Sequence, residues 1–221
     1  MKDRLTDELV AMRVAKELVP GDYCNLGIGL PLLCASYAPE GVMMQSENGV
    51  LGYGPLYTSD EIDLIDQDMV DAGMRYFQYV PGMSFFDMLT SFAMIRSGRL
   101  ISILGGLQVS EKGDLAVHSM SDDEKTTRIG GSMDLTLGAK QLIVAMTHNA
   151  KDGTPKVVRQ LTMPVTAREC VNLIVTDIAV IEVTSSGLVL KEFAPGWTPK
   201  EVMAETEAPL TVAKDLREME F

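Results

Sequence analysis

The chemistry open to this sequence centres on one acid. Gln45-Ser46-Glu47-Asn48-Gly49, continued by Val50-Leu51-Gly52-Tyr53-Gly54-Pro55, sets a carboxylate between a hydroxyl and an amide, directly after a short apolar run. Gly49, Gly52 and Gly54 point to a specially shaped loop, because only glycine enters left-handed and mirror-β conformations cheaply. At such a strand exit a glutamate can serve as general base, metal ligand or nucleophile. The plain alternative is a solvated acid in an Asn-Gly turn.

Competing chemistries lack their residues. Ser-His-Asp catalysis needs a positioned histidine. Only His118 and His148 exist, with no nucleophile-elbow serine near either, and both read as satisfied polar residues. Cys24, Cys34 and Cys170 show no ligand spacing with them, so no metal site is expected. The phosphate-binding P-loop pattern is absent. Gly27-Ile28-Gly29 resembles a dinucleotide loop, but the third glycine of that pattern falls at Leu32. It remains a set of backbone donors for some other oxygen. A glycosidase-like carboxylate pair stays open, since spatial partners cannot be read from sequence. The remaining chemistry is a carboxylate nucleophile. Asn25 and the Gly130-Gly131 turn are the natural donors for an oxyanion beside it. Glutamate is a weak nucleophile in water, so such a site suits an activated acyl group such as a thioester.

The elements that must position these residues alternate in type. A helix is expected over 5–19, with Leu5, Leu9, Met12 and Val19 on one face and Arg13 among the solvated residues. Pro20-Gly21 stops it. Tyr23-Cys24-Asn25-Leu26 reads as a buried strand in which the amide of Asn25 is unusual, because a buried amide is costly unless hydrogen-bonded. A helix through Tyr37 follows, then a strand over 42–45 that delivers Ser46 and Glu47 to its carboxyl end. Ligands of open α/β sheets bind outside the carboxyl ends of strands. Ser46, Asn48, Gly49, Gly27 and Gly29 are therefore the expected substrate-binding positions on one rim around Glu47.

Residues 59–71 read as a solvated acidic surface without the pattern of a calcium loop. Further strands are expected at 76–80, 100–104, 115–117, 141–146, 157–161 and 178–183. A hairpin at Ser185-Ser186-Gly187 and a final strand at 210–212 follow. Helices are expected over 85–96, capped by Ser84, and over 197–205, with 170–175 as a helix end. Residues 121–128 read as a polar, mobile stretch. The pattern predicts one α/β domain over 1–221: a mostly parallel open sheet flanked by helices, with a late antiparallel hairpin.

A net charge of −12 opposes binding to nucleic-acid backbones. It also implies that the phosphates of any cofactor are met by a local basic patch or another chain. An odd cysteine count of three argues against a disulfide framework. The fifteen methionines read as core filling. No apolar signal core or membrane-length run occurs, so a soluble cytoplasmic protein without membrane contact is expected.

Six stretches in order resemble the β-type chain of the family I 3-oxoacid CoA-transferases, the succinyl-CoA:3-ketoacid, acetoacetate and 3-oxoadipate group. They are the Glu47 loop, Asn25–Pro31, Leu104–Val109, Gly130–Leu135, Ala150–Gly153 and Leu161–Thr166. The resemblance implies ping-pong transfer of CoA from an acyl-CoA to a carboxylic acid, a 3-oxoacid such as acetoacetate or 3-oxoadipate, through a glutamyl-CoA thioester on Glu47. It places Asn25 and Gly130 or Gly131 around the thioester carbonyl. It implies no permanently bound cofactor, coenzyme A entering as substrate. It also implies an α-type partner subunit in a heterodimer or heterotetramer.

Relatives carry an Asn-Trp pair and a Pro-Gly-Lys turn where this chain has 117–125, a difference that bears on the choice of acid. Thr147-His148-Asn149 likewise stands where relatives have Glu-His. Two other readings are a thioester or ring-cleaving hydrolase on the same fold and a non-catalytic binding protein. The intact Glu47 loop speaks against the second, since a binder has no need of a nucleophile.

Overall fold

The computed structural model describes residues 2–121 and 129–221. In chain order the strands are β1 (Tyr23–Leu26), β2 (Met43–Ser46), β3 (Val50–Leu51), β4 (Ser84–Phe85), β5 (Leu100–Leu104), β6 (Gln108–Ser110), β7 (Leu115–Ala116), β8 (Gln141–Met146), β9 (Val157–Val158), β10 (Leu173–Thr176), β11 (Ala179–Thr184), β12 (Gly187–Phe193) and β13 (Leu210–Glu218). The helices are α1 (Asp7–Ala15), α2 (Leu30–Leu33), α3 (Met88–Ile95), α4 (Ser132–Leu137) and α5 (Pro199–Glu205).

Ten strands form one sheet in the order β13-β12-β11-β10-β8-β5-β1-β2-β3-β4, and β7-β6-β9 form a second, small sheet. The central run β2-β1-β5-β8-β10 is parallel throughout. Antiparallel strands flank it on both sides, including the expected late hairpin of β11 and β12. After β2 the chain crosses β1 to build the rest of the parallel run on its other side. The strand order therefore reverses at β1 and β5, the place where an open α/β sheet opens a crevice at its carboxyl ends. The core lies along these strands. All of β5 and β10 is buried, as is β8 after Gln141, because α1 lies against β8 and β10, and α4 against β5.

Several elements differ from expectation. The buried face of α1 is Val10, Ala11 and Val14, continued by Leu18, whereas Val19 is exposed. Arg13 is buried and pairs with Glu192 of β12 at 2.6 Å, since its guanidinium has a carboxylate to meet inside the fold. Residues 173–176 are a central parallel strand rather than a helix end. Ser84 belongs to a two-residue strand, and Asp87 caps α3 by accepting from Thr90 N at 2.8 Å. The segment 76–80 makes isolated bridges only, among them Leu56 with Phe77. The acidic stretch contains a 3-10 helix at Ser59–Leu64, and its last acid, Asp71, is buried against Arg75 Nε at 2.9 Å. Residues 122–128, and with them nearly all of the 121–128 polar stretch and part of the atypical 117–125 segment, lie outside the described residues.

Candidate active site

Glu47 stands at the tip of the β2–β3 hairpin, just past the carboxyl end of a parallel strand. The register pairs Gln45 with Leu51 and Ser46 with Val50, leaving Glu47, Asn48 and Gly49 as the turn. Gly49 has φ +119°, and a Cβ there would sit 2.1 Å from the carbonyl oxygen of Phe86. The same glycine accepts from Phe86 N at 2.9 Å, so the turn is fastened to the chain entering α3. Gly54 serves a similar close approach, since a Cβ there would lie 2.6 Å from Gln78 O. The glycine-rich loop thus lets backbone meet backbone twice around the acid.

Glu47 is half-buried, and its neighbour in β1 reaches it. Asn25 is wholly buried, and its Nδ2 donates to Glu47 Oε2 at 3.1 Å, to Gln45 Oε1 at 2.7 Å and to Gln45 O at 3.2 Å. Gln45 in turn donates through Nε2 to Ser91 Oγ of α3 at 2.7 Å and to Ser46 O at 3.2 Å. A chain of buried amides therefore links α3 to the carboxylate, with Asn25 donating both to Glu47 and to Gln45, and Gln45 donating onward to Ser91. An amide N–H directed at the carboxylate fixes where its second oxygen faces.

Sequence reasoning named Asn25 and missed Gln45 and Ser91 as site residues. Gln45 carried the same signal as Asn25, an amide inside a short apolar strand. Ser91 carried none, since only the fold brings α3 to β2.

The other expected positions fall as follows. Ser46 Oγ accepts from Ala72 N at 2.8 Å and Asn48 Nδ2 donates to Val70 O at 2.7 Å. Both side chains hold the 70–72 segment beside the acid. Gly27 N donates to Ile103 O at 2.8 Å, and a Cβ there would crowd Leu104 at 3.0 Å. Gly29, with φ +89°, turns the chain into the short α2. Gly130 has φ +44° with open space around it, and Gly131 begins α4. A Cβ on Gly131 would lie 3.3 Å from the Phe92 ring, next to Ser91 on α3. The structure thus knits Asn25, Gln45, Ser46, Glu47 and Gly49 together, and the tie from Gly131 to them runs through α3.

The other candidate nucleophiles are disabled by their surroundings. Burial pushes the Cys34 and Cys170 thiols up to about 12, and Cys24 higher. Burial lowers His148 to about 3, and its ring meets Thr176 Oγ1 at 3.0 Å and Thr206 Oγ1 at 2.8 Å, so it is a satisfied core residue. His118 Nδ1 lies 2.7 Å from Thr166 Oγ1. Among the described residues no group of three or more His, Cys, Asp or Glu is placed to hold a metal ion, and no helix is long and apolar enough to cross a membrane.

Residues 8–205 match the family model described as Coenzyme A transferase. The chain is 44% identical over 210 residues to the beta chain of the acetate CoA-transferase of Escherichia coli K12, covering 94% of each chain. It is 40% identical to the B-type chain of the 3-oxoadipate CoA-transferase of Acinetobacter baylyi, covering 94% of this chain and 95% of the other. Among solved structures it resembles an acyl-CoA transferase from Escherichia coli O157:H7 in a thioester complex with CoA. That match has a TM-score of 0.75 and 20% identity, and it spans 100% of this chain and 44% of the other.

Proposed function

The chain belongs to the Coenzyme A transferase family and is of the beta, or B, type, and from that premise we propose that Glu47 is the nucleophile of a ping-pong CoA transfer. Glu47 attacks the thioester carbonyl of an acyl-CoA, giving an acyl–glutamyl anhydride and CoA thiolate. The thiolate then attacks the glutamyl carbonyl, releasing the first acid as its carboxylate and leaving a glutamyl-CoA thioester. A second carboxylate reverses these steps and departs as its CoA ester. Charge and atoms balance at each exchange, with no external base. The acid is a short carboxylate or 3-oxoacid, the class named by the relatives.

The observation that carries this reading is the carboxylate of Glu47, at a hairpin tip on the carboxyl rim, with Asn25 Nδ2 at 3.1 Å. Asn25 positions the attacking oxygen. The amides of the Gly130-Gly131 turn are the proposed donors to the thioester oxygen, and Gly27, Gly29, Ser46, Asn48 and Gly49 shape the rim that receives the substrate.

An α-type subunit completes the site. The relatives are themselves named as one chain, beta or B, of a larger enzyme, and the structural match spans less than half of its counterpart. The surface agrees: Ile28, Met88 and Leu89 are 74%, 61% and 84% exposed on the loop after β1 and on the first turn of α3. Apolar side chains concentrated beside a site mark a face that another protein covers. The net charge of −12 further favours a partner that meets the phosphates of CoA.

The test is to assemble the chain with its α-type subunit, add acyl-CoA without acceptor, and digest for mass spectrometry. A CoA adduct on Glu47 is expected, and Glu47→Ala abolishes both adduct and exchange. Undiminished exchange in Glu47→Ala refutes the reading, and steady hydrolysis without acceptor transfers the chain to the hydrolase class.

A further inference from the structure

The relay that reaches Glu47 sits in a polar row that crosses the sheet. Gln45 is the register partner of Asn25 across β2 and β1, and Asn25 is the register partner of Ser102 across β1 and β5. Register partners on neighbouring parallel strands project from the same face, with strands about 4.8 Å apart. Leu142 of β8 is the next partner and closes the row with an apolar side chain. An amide, an amide and a hydroxyl thus stand side by side in a sheet centre that is otherwise aliphatic.

The hydrogen bonds account for one end of this row only. Gln45 donates to Ser91 and Ser46, and Asn25 shares its two N–H bonds among Glu47 Oε2 and the two oxygens of Gln45. Among the described residues Asn25 Oδ1 and Ser102 Oγ are both buried without a partner, and both residues are fully shielded from solvent. One is an acceptor and the other a rotatable donor, on adjacent register positions. Leaving either buried and unpaired is destabilising, so two complementary orphans at this spacing belong together.

We propose that Ser102 is a positioning residue. By a turn of its side chain, away from the arrangement in which both atoms stand unpaired, its hydroxyl donates to Asn25 Oδ1 and so holds the carboxamide with Nδ2 facing Glu47. Asn25 Nδ2 is already committed to Gln45 and Glu47, so the hydroxyl meets the amide as a donor at Oδ1, and the contact secures the orientation that serves the carboxylate. Polarising the carbonyl also strengthens the N–H donor at the other end of the same amide. The pairing stands on the sheet geometry alone; its consequence for catalysis rests on the reading of Glu47 as nucleophile.

A double-mutant cycle on the full chain tests the pairing. Urea unfolding of wild type, Ser102→Ala, Asn25→Ala and the double variant is compared. Ser102→Ala is expected to shift the unfolding equilibrium about tenfold when Asn25 is present and about twofold or less when it is not. Equal shifts in the two backgrounds overturn the pairing.

A second readout tests positioning in the assembly with the α-type subunit. Ser102→Ala slows single-turnover formation of the glutamyl-CoA adduct about five- to tenfold while acyl-CoA affinity stays within about twofold, and Ser102→Thr, which keeps the hydroxyl, recovers most of the rate. An adduct rate unmoved by Ser102→Ala overturns the positioning role. If Ser102→Ala fails to fold, Ser102→Cys, a weak donor of similar size, takes its place with the same expectations. A wild type that forms no adduct refutes the reading of Glu47, and the unfolding cycle still decides the pairing.

Discussion

Replacing Gly49 by alanine probes the turn that carries Glu47 without touching a reacting atom. The added Cβ would lie 2.1 Å from Phe86 O, and must retreat by at least 0.9 Å to reach the 3.0 Å below which such contacts are essentially never seen. The carbonyl belongs to backbone anchored by its own residue's N–H bond to Gly49 O, at 2.9 Å, so it cannot simply swing aside. Forcing φ +119° on an alanine adds roughly 1–3 kcal/mol, and loss of the Phe86 N–H bond about 1 kcal/mol. A total near 3 kcal/mol lowers the melting temperature of a chain of this size by about 6–12 °C.

The effect on chemistry is larger in proportion. A displacement of about 1 Å at the turn puts Glu47 out of line with Asn25, and misplacement on that scale costs about a hundredfold in rate. Adduct formation in a rapid-quench assay measures it. Gly187→Ala in the β11–β12 hairpin is the control: its φ is +115°, but a Cβ there meets nothing within 4 Å, so only the backbone penalty applies and the adduct rate stays within a few-fold. If Gly49→Ala forms the adduct at the wild-type rate, the hairpin–α3 seam does not position Glu47, and the role given to the glycine loop is wrong.

Other outcomes follow from burial. The neutral His148, lowered to about 3 against an unfolded value near 6.5, resists protonation that the unfolded chain accepts, so its stabilising effect is complete above pH 6.5 and fades as pH falls towards 3. By pH 4.5 this amounts to at most about 2.7 kcal/mol; urea midpoints across that range should fall less steeply in His148→Gln. Arg13→Met should destabilise the chain by about 3 kcal/mol, because it leaves the buried Glu192 with Arg217 as its remaining cation. Equilibrium unfolding in which Arg13→Met matches wild type would contradict this. Iodoacetamide at pH 7.5 should leave Cys24 and Cys34 unlabelled in the native chain and label them after denaturation, as read by peptide mass.

The parallel centre of the sheet was legible because strands buried on both faces must be apolar, as Leu100–Leu104 and Gln141–Met146 are. Burial on both faces also explains the error at Leu173–Thr176, since a short apolar run has no period to separate strand from helix. The strand Gln108–Ser110 was overlooked because two of its three residues are polar; the fold buries Gln108 by having its Oε1 accept from Thr162 N at 2.9 Å. The start of α3 was misplaced because Ser84 and Asp87 are equally good caps, and the pairing of Ser84 with Leu51 decides between them. In the site, Glu47, Asn25 and the glycines announced themselves by type. Ser91 and Ser102 did not, because a serine is unremarkable until a register places it beside a buried amide.

The two edges of the large sheet face opposite fates. At one edge β4 is two residues long and offers little to a stranger. At the other, β13 presents nine residues whose outer backbone groups are a template for an added strand. Lys214, Asp215, Arg217 and Glu218 occupy that strand, with Lys191 bound to Asp215 at 3.0 Å and Glu192 to Arg217 at 2.7 Å. An incoming strand would have to strip water from this mixed row of charges before its own amides could pair. The electrostatic fence makes β13 the end of the sheet, and protects a concentrated solution of the chain from growing fibrils edge to edge.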